Sequence, residues 1–210
     1  MPTTREMSQA FRWTSVGGQE LTVGIFFIEL VAHAALLERL LRPGGMVIGF
    51  AGFTLVMYCG AIFPGQYTAR RALGWIGGRW YQWAGAAVAG ASLGMVVTAT
   101  TLASGHSIRV VEAVQDQVIA ITLGPIVEEI CLRGLLVPLL ARAVGSAGAV
   151  LVTSVLFAFL HRPASGLKLA SITVTGAAYG WIRVRSGSTA LASVAHTMYN
   201  LAVLGFGLPR

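Results

Sequence analysis

The stretch GPIVEEICLRGLLVPLL, residues 124–140, decides how the rest of the chain is read. It is the interior of an apolar helix interrupted by Glu128, Glu129 and, one turn on, Arg133. A charged group at the centre of a membrane helix costs on the order of 2.5–3.5 kcal/mol on insertion scales. A cluster of three therefore needs partners or a task. Glu129 and Arg133 lie four apart, share a helix face and can pair. Glu128 points roughly 100° away around the same helix and is left for another partner. Pro125, just upstream, frees a backbone carbonyl and bends the axis. A bend beside buried carboxylates suits the wall of a polar cavity better than a face turned to lipid.

Composition sets the surroundings of that stretch. The chain has 210 residues, of which 55% are hydrophobic and 11% charged, and its mean hydropathy is +0.72. A soluble globular chain carries about 25% charged residues. A bilayer core about 30 Å thick takes about 20 apolar residues per helix, so this length allows roughly six to eight spans and no sizeable soluble domain. The expected fold is all-α: a polytopic transmembrane bundle of about seven spans, forming one integral membrane domain over residues 1–210. Spans one to three and a loop occupy 1–116, and the residues with chemistry fall in 117–207. The net charge of +7 comes from arginines scattered at the ends of apolar runs, which contact lipid headgroups rather than nucleic acid. Cys59 and Cys131 sit inside apolar runs and read as buried thiols, not a disulfide or a thiolate metal site. Residues 1–20 lack the pattern of a secretory signal.

The spans follow in order. Residues 21–38 hold Glu29 and His33, a pair four apart that reads as a structural contact. Residues 46–63 form the second span. The loop 64–81 mixes arginines with Trp75, Trp80 and Tyr81, an interfacial belt. Residues 82–103 carry Gly90 and Gly94, spaced for close helix approach. The polar loop 104–116 holds His106, Arg109, Glu112 and Asp116. Spans 117–142, 147–161, 167–184 and 188–207 complete the chain, with a second GxxxG pair at Gly176 and Gly180.

Three of these spans present polar groups able to face inward. The fourth has Glu128, Glu129 and Arg133; the fifth ends in His161; the seventh has His196 and Asn200, four apart. A carboxylate in a cavity of low dielectric is drawn towards the working range of a general base. A nearby imidazole can share its water. A second imidazole and an amide can donate to the oxyanion formed when water attacks a carbonyl. The set describes hydrolysis of a peptide bond brought into the membrane. Tyr199 and Trp181 read as packing or interfacial residues.

The same residues resemble a known family. Glu128, Glu129, Arg133 and Gly134 match the EExxxRG motif of the CAAX-protease and bacteriocin-processing family (CPBP, or ABI) of intramembrane endopeptidases, which includes Ras-converting-endopeptidase-like proteins. Phe157 to His161 matches its FxxxH motif, and His196 to Asn200 its HxxxN motif, in the same order on separate helices. The resemblance covers roughly residues 117–205. It implies that Glu128 activates water with His161, that His196 and Asn200 stabilise the oxyanion, and that Glu129 and Arg133 support the site. It leaves two readings of the cofactor. One is none, which is preferred. The other is zinc, held by Glu128, His161 and His196, although these lie on three helices and there is no HExxH.

The expected partners are membrane lipid and a protein or peptide with a membrane-proximal cleavage site. That substrate is a prenylated CAAX tail, a bacteriocin leader or a C-terminal sorting anchor. The expected place is a multi-pass position in a membrane, the plasma membrane in a prokaryote. Two other classes compete. A non-catalytic immunity or scaffold protein has no use for an acid, imidazoles and an amide together. A proton-coupled transporter would show paired inverted halves, and no internal repeat is visible.

Overall fold

The computed structural model describes residues 73–105, 117–163 and 165–206. The first two expected spans, the Glu29–His33 pair, Cys59 and the charged part of the 104–116 loop lie outside the described residues. Among those described, every regular element is helical. The elements are α1 (Trp80–Ala103), a π-helical turn (Ile119–Leu123), α2 (Gly124–Glu129), a second π-helical turn (Ile130–Leu136), α3 (Val137–Leu160), α4 (Gly166–Ser186) and α5 (Thr189–Phe206). Two stretches, Trp80–Ala103 and Ala120–Leu160, are long and apolar enough to cross a membrane.

The longer stretch is not one rod. Gly145 takes φ 71° and ψ 166° inside α3 and breaks the helix. That region is open to glycine at no steric cost. Arg133 and Phe157 confirm the reversal: the guanidinium carbon lies 4.8 Å from the ring centroid, whereas a straight helix would hold these residues about 36 Å apart. The limb before Gly145 and the limb after it coincide with the helices expected over residues 117–142 and 147–161. The second limb stops at His161 because Arg162 adopts φ 46° and Pro163 has no N–H to continue the ladder.

The interior holds large apolar side chains such as Leu132, Leu135, Phe157 and Leu191, but α1 packs against it through small residues. On α1 the buried residues are Ala86, Gly90, Gly94 and Thr98, one every four positions. Val88, Met95, Val96 and Leu102 are exposed. Small residues inward and large apolar ones outward is the arrangement that lipid selects, since association there depends on close packing rather than on escape from water. A methyl group added at Gly90 would collide with the carbonyl oxygen of Ala195, and one at Gly94 would sit 2.7 Å from the carbonyl oxygen of Tyr199. Contacts that advance together, four residues on each helix, show that α1 and α5 run parallel. The second GxxxG pair packs α4 against α3: Gly176 faces Ser154 and Phe157, and Gly180 faces Val150. Here the order reverses, so α3 and α4 are antiparallel.

The segment before α1 is tied to the start of α5. The Thr189 hydroxyl donates to the Leu73 carbonyl at 2.6 Å, and the Thr189 N–H donates to the Gly74 carbonyl at 2.8 Å. The Ser188 hydroxyl donates to the Ile76 carbonyl. Each bond satisfies a backbone group that lipid could not.

Candidate active site

Two π-helical turns flank α2, the short turn that carries both glutamates. A π-turn widens the helix locally and leaves backbone carbonyls for other partners, and such turns gather at functional sites. Each turn here is held from another helix. Asn200 of α5 donates its side-chain N–H to the Ala120 carbonyl at 2.7 Å. Arg183 of α4 donates from Nε to the Arg133 carbonyl at 3.2 Å. The register of Glu128 and Glu129 is thus set from both sides.

Glu129 and Arg133 are both fully buried and form an ion pair, Nη1 to Oε1, at 3.2 Å. Arg133 also donates from Nη2 to the Gly176 carbonyl at 2.7 Å, and its guanidinium rests against the Phe157 ring. The same Glu129 Oε1 meets His196 Nδ1 at 3.0 Å. An ionised carboxylate can only accept, so Nδ1 is the donor in this bond. The opposite nitrogen, Nε2, lies 4.0 Å from Glu128 Oε2. The Glu128 side chain keeps 22% of its surface exposed, against none for Glu129. Adjacent glutamates therefore differ in kind: one is locked to two cations or donors, the other can meet water beside an imidazole.

His161 is exposed at the end of α3. Its Nδ1 lies 2.8 Å from the Phe157 carbonyl, which again can only accept, so Nδ1 carries the hydrogen and the neutral ring offers Nε2 as an acceptor. Phe157 joins the two histidines: its ring centroid is 4.4 Å from that of His161 and 5.5 Å from that of His196, edge to face. This gives the phenylalanine of the FxxxH pattern a physical part.

The structure brings Glu128, Glu129, Arg133 and His196 into one cluster, and links Asn200 to it through the π-turn and His161 through Phe157. Among the described residues no three of His, Cys, Asp and Glu converge as a metal-holding group. Cys131 is fully buried. Trp181 lies on the outside, its ring 4.7 Å beneath the Arg185 guanidinium, and Tyr199 packs edge-on against Tyr179.

Three contributors were missed from the sequence, and all are on α4. Gly176, Tyr179 and Arg183 recur at helical spacing, and each touches Arg133 or His196. The visible signal was Gly176 and Gly180, which reads as packing alone. Arg183, in the last turn of an apolar helix, reads as an interfacial charge, whereas it is buried.

No curated protein and no solved structure matches the chain. A family model does: that described as type II CAAX prenyl endopeptidase Rce1-like matches residues 111–202. The matched stretch holds all six residues that the sequence singled out. Over this stretch the chain is similar to the Rce1-like type II CAAX prenyl endopeptidases, the family whose motifs the sequence carries.

Proposed function

We propose that this protein is a membrane-embedded endopeptidase that hydrolyses a peptide bond close to the bilayer, with Glu128 as the group that activates water. The observation that carries the reading is the contrast between the two glutamates. Glu129 is buried and engaged by Arg133 and His196, while Glu128 keeps exposed surface and has His196 Nε2 at 4.0 Å.

In this mechanism water donates one proton to Glu128 and a lone pair of its oxygen attacks the scissile carbonyl carbon. The free Nε2 of His161 accepts the second O–H and aligns the water. Negative charge gathers on the carbonyl oxygen. Asn200 has two side-chain N–H groups, one committed to Ala120, and the other donates to the oxyanion. His196 donates from Nε2, which requires that nitrogen to carry a proton as well. Collapse breaks the C–N bond, and the proton held by Glu128 passes to the leaving amine. Glu129 and Arg133 hold the helix and the His196 ring in place. No step is routed through a metal.

The family points first to a prenylated tail as substrate, with a bacteriocin leader and a C-terminal sorting anchor as the other classes. The test is a panel of reporter peptides offered to the full chain in lipid nanodiscs. One is a farnesylated Cys-aliphatic-aliphatic-X tail, one its unprenylated twin, one a leader peptide and one a sorting anchor. Mass spectrometry reads the products. The expected result is release of the last three residues from the farnesylated peptide only, undiminished by EDTA. Cleavage of the leader or anchor instead reassigns the substrate. No cleavage of any, or activity lost in EDTA and restored by zinc, contradicts the reading.

A further inference from the structure

We propose that Tyr179, on a helix that carries none of the three motifs, is a positioning residue that fixes the plane of His196. The proposal rests on the reading of His196 as an oxyanion donor. The rings of Tyr179 and His196 are stacked, 4.6 Å between centroids and 21° between planes. Tyr179 is fully buried, and it cannot tilt freely: Phe157 meets it edge-on at 6.4 Å and 77°, and Tyr199 at 6.3 Å and 78°.

A histidine ring held only by one hydrogen bond can still swing about it. Glu129 fixes the Nδ1 end of His196, the Phe157 edge lies against it, and the Tyr179 face removes the remaining rotation. With the ring plane set, Nε2 is directed to the Glu128 side. The hydroxyl of Tyr179 has no hydrogen-bond partner among the described residues. The ring, not the hydroxyl, is therefore the working part, and phenylalanine should replace it. The rest of α4 is built for the same purpose, since Gly176 and Arg183 hold Arg133, the other partner of Glu129.

The experiment compares wild type with Tyr179→Phe, Tyr179→Leu and Tyr179→Met in nanodiscs. One arm follows the imidazole nitrogen resonances of isotope-labelled histidine, with His196 assigned by His196→Gln. The other measures kcat and KM on the farnesylated reporter. Tyr179→Phe is expected to keep the His196 resonances and a rate within about twofold of wild type. Tyr179→Leu and Tyr179→Met are expected to move and broaden those resonances and to lower kcat roughly 10- to 100-fold at nearly constant KM, the scale of a misplacement of about 1 Å. Unmoved resonances in the Leu variant, or a Phe variant as impaired as Leu, overturn the proposal. So does loss of folded protein in both the Leu and Met variants, which would make the residue structural. If wild type cleaves no peptide, the catalytic reading fails and the resonances alone decide the part played by Tyr179.

Discussion

Glu128 and Glu129 share a peptide bond and little else. The buried Glu129–Arg133 pair closes a network with His196 and the Gly176 carbonyl. Removing one member of a buried ion pair leaves the other uncompensated, at about 3–5 kcal/mol. Glu129→Gln is therefore expected to lower stability by about that amount, read by thermal unfolding in detergent. The double exchange Glu129→Gln with Arg133→Gln should lose less than the two single losses together, because neither charge is then stranded. Glu128→Gln should move stability by only about 0.5 kcal/mol, as a substitution at a partly exposed site. Equal losses at the two glutamates would contradict the division of labour between them.

Helix pairing is carried by glycine. On α1 the approach at Gly90 brings its backbone against the Ala195 carbonyl, one residue before His196. Gly90→Val should force α1 and α5 apart and cost about 1–3 kcal/mol as overpacking. Gly85→Ala, on the same helix but with open space around it, should be neutral; folded yield and unfolding temperature distinguish the two. The sequence showed both glycine pairs, because spacing of small residues is a local property. It showed the Glu129–Arg133 pair for the same reason, since four residues on a helix always stack. The π-turns were not legible. They depend on Asn200 and Arg183 reaching the Ala120 and Arg133 carbonyls from helices 80 and 50 residues away, and no local pattern encodes that. Tyr179 escaped likewise: its role is defined by a ring on another helix.

At the scale of the molecule, the bundle exposes many large apolar side chains and keeps Glu129, Arg133, Arg183 and His196 inside, among buried residues such as Leu132, Leu135 and Phe157. Two atoms of this network, Glu129 Oε2 and Arg133 Nε, have no hydrogen-bond partner among the described residues, and most of the bonds that are made cross between helices. This is why three motifs on separate helices could be joined from sequence only through the chemistry they share. The central claim is that Glu128 activates water with His161, while Glu129 serves the scaffold. It is tested most directly by single-turnover cleavage of the reporter by wild type, Glu128→Ala and His161→Ala in nanodiscs, with unfolding temperatures measured on the same samples. The account predicts that both variants stay folded and lose roughly 10²- to 10⁴-fold in rate, the scale of general acid–base catalysis. Wild-type cleavage by either folded variant would contradict it.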